Sequence, residues 1–105
     1  ANVEDHVSMG PIAARHARAI VANTARILAL EAIMAAQAID FRLRANTQAR
    51  MGTGTAAAYQ LIRERVPFLD KDRDFQPYIT AAEELVVSGQ LASVVEQVLP
   101  KKLSV

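Results

Sequence analysis

Residues 11–41 read PIAARHARAIVANTARILALEAIMAAQAIDF. After Pro11 the stretch holds neither glycine nor a second proline, and it is dense in the strong helix formers alanine, leucine, arginine and glutamate. It predicts one long helix. Pro11 suits the first helical position, where its missing N–H costs nothing and its fixed φ favours the turn, and Ser8 or Gly10 suits the entry. In the first half Ile12, Ile20, Val21, Ile27 and Leu28 can share an apolar side while Arg15, Arg18 and Arg26 project from another. From Ile27 to Ile39 only Glu31 and Gln37 are polar, so apolar side chains run nearly all the way round, as in a helix surrounded by protein. Such a helix is about 46 Å long, whereas a compact domain of this size has a radius of gyration near ~13 Å. Leu28, Leu30, Ile33, Met34 and Ile39 are therefore expected to need partner helices, and self-association follows.

The rest of the chain reads as three shorter helices. Residues 43–54 are polar and glycine-containing and predict a loop. Gly52-Thr53-Gly54-Thr55 lacks the lysine and spacing of a phosphate-binding loop and reads as a turn with a helix cap. A second helix is expected from about Thr55 to Val66, with Ala58, Leu61, Ile62 and Val66 inward and Pro67 ending it. Asp70-Lys71-Asp72-Arg73-Asp74 lacks the glycine and distal glutamate of a calcium loop and reads as a solvated, self-paired connector. Thr80 with Glu83 has capping-box spacing and predicts the start of a third helix, stopped at Gly89 in the left-handed conformation. Leu91 to Val98 gives a fourth, closed by Pro100. The expectation is an all-α fold, one long helix (about 11–41) plus three shorter ones, without internal repeats.

Composition narrows the chemistry. The 105 residues are 51% hydrophobic but only 5% aromatic, which points to an Ala-, Val-, Leu- and Ile-built core. Twelve basic residues against 11 acids leave a net charge of +1, no general handle for nucleic acid or an anionic membrane. With no cysteine there is no thiolate nucleophile or thiolate metal site, and two histidines without a third ligand make no zinc site. No apolar stretch is read as approaching the ~18 residues of a membrane span.

The densest chemistry stands at the beginning. Glu4-Asp5-His6-Val7-Ser8-Met9-Gly10-Pro11 sets two carboxylates and an imidazole just before the expected helix start, beside unpaired backbone N–H donors. By themselves Glu4 and Asp5 are also the acids that a helix N-terminus favours, by about 0.3–1 kcal/mol each. His16, among arginines, reads as structural.

This run resembles a segment of the histidine ammonia-lyases, within the aromatic amino acid lyase family. Ala13-Ala14-Arg15, Ala35-Ala36-Gln37-Ala38-Ile39-Asp40-Phe41-Arg42, Gly52-Thr53-Gly54-Thr55 with Ala58-Tyr59, and Val66-Pro67-Phe68-Leu69-Asp70-Lys71-Asp72-Arg73 recur in that family in this order. The resemblance spans roughly residues 2 to 92 and corresponds to the family's C-terminal part. Residues 1–105 are thus expected to be the C-terminal helical portion of such a lyase, an excised or processed piece.

The resemblance implies a carbon–nitrogen lyase that converts L-histidine to urocanate and ammonia, cytoplasmic and homotetrameric, with long helices in a central bundle. It implies an electrophilic 4-methylidene-imidazole-5-one (MIO) group, formed from an Ala-Ser-Gly tripeptide in the N-terminal part of the enzyme. This chain has no Ala-Ser-Gly, and Val87-Ser88-Gly89 reads as a helix end, so the portion alone is expected to be inactive. The resemblance assigns Glu4 to the substrate imidazole, as a contact or in proton transfer. Asp5 and His6 could orient Glu4 or pair across a subunit boundary, although both read more simply as structural. Relatives acting on phenylalanine typically carry glutamine at the Glu4 position, so Glu4 with His6 favours histidine. Val3 departs from the family's usual glutamine. The alternatives are another MIO enzyme, acting on tyrosine or phenylalanine as lyase or aminomutase, and a non-catalytic helical oligomerisation module.

Overall fold

The computed structural model describes the backbone of residues 2–101 and the side chains from Met9 to Lys101. Among the described residues there are four helices and no strand: α1 (Asn2–Ala45), α2 (Thr53–Arg65), α3 (Gln76–Val87) and α4 (Gln90–Val98). The all-α expectation holds, with one dominant helix. That helix is longer than expected at both ends. Pro11 lies inside α1 rather than opening it, because a proline removes a single rung of the ladder and the segments on both sides still favour helix.

One stripe of α1 makes the core. Ala25, Ala29, Ile33 and Ala36 are buried and recur every three or four residues, so they stack on one side of the helix. Ala29, Ile33 and Ala36 meet Ile62 and Val66 of the α2 end and Ala82 of α3, with Tyr59, Leu69 and Ile79 packed around them. Alanines on both sides of the contact let helix axes approach closely. Leu85 and Val66 are the largest fully buried side chains.

Much of the rest of α1 is left uncovered by the described residues. Every described residue from Met9 to Thr24 is exposed, as are Ile27, Leu28, Leu30 and Met34. Ile33 departs from the expectation, because it points into the chain's own core at 9% exposure whereas Met34 beside it is 69% exposed. Ile39 is half-buried. The molecule measures 68 × 39 × 18 Å with a radius of gyration of 18.6 Å, well above the ~13 Å of a compact domain of this length. Its accessible surface of 7976 Å² exceeds the roughly 5,800 Å² expected of a compact monomer of this mass. The uncovered flank of α1 contributes to it.

A second correction concerns hydropathy. Met9–Ala45 is long and apolar enough to cross a membrane by length and composition, with a mean hydropathy of 1.5 in its most apolar window, against the expectation of no such stretch. Alanine-rich helix carries that value past Arg26 and Glu31. Within this chain α3 packs on the segment, and Arg26 Nε donates to Glu83 Oε1 at 2.8 Å.

The shorter helices deviate in their starts. α2 begins at Thr53, with Gly52 in extended conformation before it. A Cβ on Gly54 would lie 3.3 Å from Val95 Cγ1 and 3.5 Å from Leu99 Cδ2, so this glycine lets α4 approach α2 closely. α3 begins at Gln76, four residues ahead of the expected capping box. The Asp74 carboxylate accepts from the Gln76 N–H at 3.0 Å and Pro77 occupies the first turn, so the stop-start signal was Asp-x-Gln-Pro. Thr80 is left inside the helix, where its hydroxyl accepts from Gln76 Nε2. Gly89 has the expected left-handed conformation, φ 80°, and separates α3 from α4.

Candidate functional site

The densest polar cluster among the described side chains joins α1 to α2 and was not anticipated. Gln37 and Asp40 lie one turn apart on α1, and Tyr59 and Arg63 one turn apart on α2, so both pairs face each other across the helix contact. The Asp40 carboxylate accepts from the Tyr59 hydroxyl, from Arg63 Nε at 2.9 Å and from Arg63 Nη2 at 2.5 Å. Arg63 reaches further, Nη1 donating to the carbonyls of Val66 at 2.9 Å and Pro67 at 3.1 Å and Nη2 to Gln37 Oε1 at 3.3 Å. Gln37 Nε2 donates to the Leu69 carbonyl at 2.8 Å and its Oε1 accepts from the Leu69 N–H at 3.2 Å.

Charge placement decides what this cluster can do. Burial works to raise the Asp40 pKa, but the hydrogen bonds from Tyr59 and Arg63 and the positive charges of Arg63 and Arg44 outweigh it, and the carboxyl titrates below the ordinary 3.8. The hydrogen bond to Asp40, with burial, raises the Tyr59 phenol above its ordinary 10.0. At neutral pH one group is held ionised and the other protonated, and neither is poised to exchange a proton. The cluster is architectural: it pins α2 and the chain after it to α1.

That role has a pH signature. Since the folded-state pKa of Asp40 is depressed, its stabilisation is complete above the ordinary 3.8 and is lost as the pH falls through the lower folded value. Asp40→Asn is expected to cost about 2–3 kcal/mol at pH 7 by leaving Arg63 without its counter-charge. Urea unfolding followed from pH 6 downward should show a shallower acid limb in the variant.

The residues singled out in the sequence lie elsewhere. Glu4, Asp5 and His6 belong to the first turns of α1, and their side chains lie outside the described residues. His16 is exposed. Gly52 and Thr55 line a recess of about 220 Å³ with Arg42 and Arg50, but Gly54 serves helix packing and the segment opens α2 as an ordinary turn. Ser88, the serine of the nearest approach to an MIO precursor, sits in the α3–α4 corner. Its Oγ donates to the Leu85 carbonyl and accepts from the Gln90 N–H. The Asp40 cluster left a trace in the sequence: Gln37 interrupts an apolar run, and Tyr59 and Arg63 have helical spacing.

Similarity to known proteins covers both ends of this architecture. The chain is 52% identical over 94 residues to a histidine ammonia-lyase of Chloroflexus aurantiacus, covering 89% of this chain and 18% of the relative. It is 46% identical over 99 residues to one of Natranaerobius thermophilus, covering 94% and 19%, and 50% identical over 99 residues to one of Clostridium tetani, covering 92% and 19%. The chain thus spans less than a fifth of the length of these relatives. No solved structure matches it significantly. The model of the aromatic amino acid lyases matches residues 1–64, which takes in the Glu4-Asp5-His6 run, the whole of α1 and both sides of the Asp40 cluster, and the chain belongs to that family.

Proposed function

We propose that this chain is the C-terminal helical portion of a histidine ammonia-lyase, the carbon–nitrogen lyase that eliminates ammonia from L-histidine to leave urocanate. The observation that carries the reading is the 46–52% identity to proteins of that name across about nine-tenths of this chain, with glutamate at position 4. Glu4 is the residue assigned to the substrate. Its carboxylate accepts the imidazole N–H or exchanges a proton with the ring, which a neutral amide would not do. Asp5 and His6 read as its structural neighbours.

The family's MIO electrophile has no seat among these residues. The chain holds no Ala-Ser-Gly, and the Ser88-Gly89 turn is committed to ending one helix and starting the next. The N-terminal part of the enzyme must supply that group, and this portion alone is inactive. We read the complete enzyme as a cytoplasmic homotetramer, in which the uncovered rows of α1 find their partners. Support for association comes from the surplus surface, of the size that obligate interfaces bury, ~2,000 Å² or more.

A complementation experiment tests the reading. The 105-residue chain mixed with the N-terminal part of a histidine ammonia-lyase should restore urocanate formation, and the chain alone should form none. Urocanate from the pure chain, or none from the complemented and assembled pair, would count against it.

A further inference from the structure

The stretch between α2 and α3 is held unlike any other part of the molecule. Among the described residues, 67–74 make no backbone–backbone hydrogen bond. The bonds resume at either side, where the Val66 N–H donates to Ile62 and the Phe75 carbonyl accepts from Tyr78 and Ile79. Val66 is fully buried. Between these fixed points, the attachments to the helices are made by side chains. Gln37 makes both bonds to the Leu69 backbone, Arg63 reaches the Pro67 carbonyl, and the Phe68 ring stands edge-on to Phe41, 5.5 Å between centroids, under the Arg44 guanidinium at 3.8 Å. Residues 70–75 are exposed, with local contacts such as Arg73 to Asp70 and Tyr78.

The stretch also covers something. Leu69 and Phe75 line, with Ile33 of α1 and Ile79 of α3, a half-open and mostly apolar recess of about 330 Å³. We propose that residues 67–75 form a strap that opens as one unit about Val66 and Phe75, latched to α1 by the Gln37 amide, and that its opening uncovers Ile33 and Ile79 while the four helices stay folded. The physical basis is an asymmetry of cost. Opening breaks side-chain bonds, the contacts of Phe68 with Phe41 and Arg44 and the packing of Leu69 on the core, but no rung of any helix, whereas unfolding any helix breaks its whole ladder. The exposed half of the strap resists opening with almost no burial of its own.

Limited trypsin digestion and hydrogen exchange on the 105-residue chain at neutral pH test this. Gln37→Leu keeps the side chain's bulk and leaves the Asp40–Arg63 pair intact, yet removes both bonds to Leu69 along with the one from Arg63 Nη2. Trypsin should cleave after Lys71 and Arg73 at least tenfold faster, and the Leu69 amide, whose acceptor is Gln37 Oε1, should lose its protection, with exchange at core amides such as Ala29 and Leu85 unchanged. Gln37→Glu keeps the acceptor for the Leu69 N–H and loses the donor, so it should fall between, and it serves as the reading should Gln37→Leu not fold. Arg65→Gln, which removes the Arg65–Glu84 pair and touches nothing in the strap, should leave the connector at the wild-type rate. Three results would overturn the proposal: cleavage after Lys71 and Arg73 rising together with exchange at the core amides, cleavage unchanged in both Gln37 variants, or cleavage in the wild type already as fast as in an unfolded chain.

Discussion

Glu4→Gln in the complete enzyme is expected to lower kcat/KM for L-histidine by about a hundredfold or more, the scale on which a positioned acid or base contributes. The substitution keeps the shape of the side chain and removes the charge, so the loss reports on chemistry rather than packing. A carboxylate favours the protonated imidazole or takes a proton from it; an amide does neither. Steady-state kinetics should therefore show the fall with no change in the circular dichroism or oligomeric state of the variant. Turnover within a factor of two of the parent enzyme would take Glu4 out of the site and with it the main chemical argument for histidine as substrate.

The second large effect separates two neighbouring residues on α1. Ile33→Asp should unfold the chain, because it puts a carboxylate without a partner among Ala29, Ala36, Ile62 and Ala82, at a cost of about 4 kcal/mol or more. Met34→Asp should leave the fold within about 0.5 kcal/mol of the parent, since that side chain is 69% exposed, and should instead weaken association. Each apolar side chain withdrawn from an interface of this kind forgoes about 1.5–3 kcal/mol, so a tenfold or greater rise in the dissociation constant is expected. Urea unfolding reads the first variant and sedimentation velocity the second. A parent chain that sediments as a monomer at micromolar concentration would show that no copy of itself covers α1.

The contrast between these two residues also marks where sequence reading reaches its limit. The overlong helix, its unmet apolar surface and the left-handed Gly89 were all legible, because periodicity, the absence of breakers and the conformational freedom of glycine act locally. Which of Ile33 and Met34 turns inward was not, since an all-round apolar run carries no phase and only the position of α3 assigns one. The start of α3 was misread for a related reason. Thr80 and Glu83 have capping spacing, yet the Asp74 carboxylate and Pro77 offer an earlier start, and Glu83 is drawn to Arg26 across a long sequence gap. The Asp40 cluster depends on two helices meeting in one register, which neither helix reveals alone. The proposal for Glu4 rests on resemblance alone, as the acids near the N-terminus are equally what a helix start prefers.

Gly89 carries a further implication. One residue, at φ 80°, both closes α3 and opens α4, so the angle between those helices is inherited from a single backbone rotation with no spare length to absorb an error. The route from α2 to α3, by contrast, has a run of exposed, charged residues whose backbone owes nothing to a helix ladder. Insertions and deletions should therefore be unevenly tolerated along this chain. A residue added between Asp70 and Asp74 lengthens a loop and leaves the packing of Leu85 alone, whereas one added at Ser88 or Gln90 turns the whole of α4 out of its fit against Gly54.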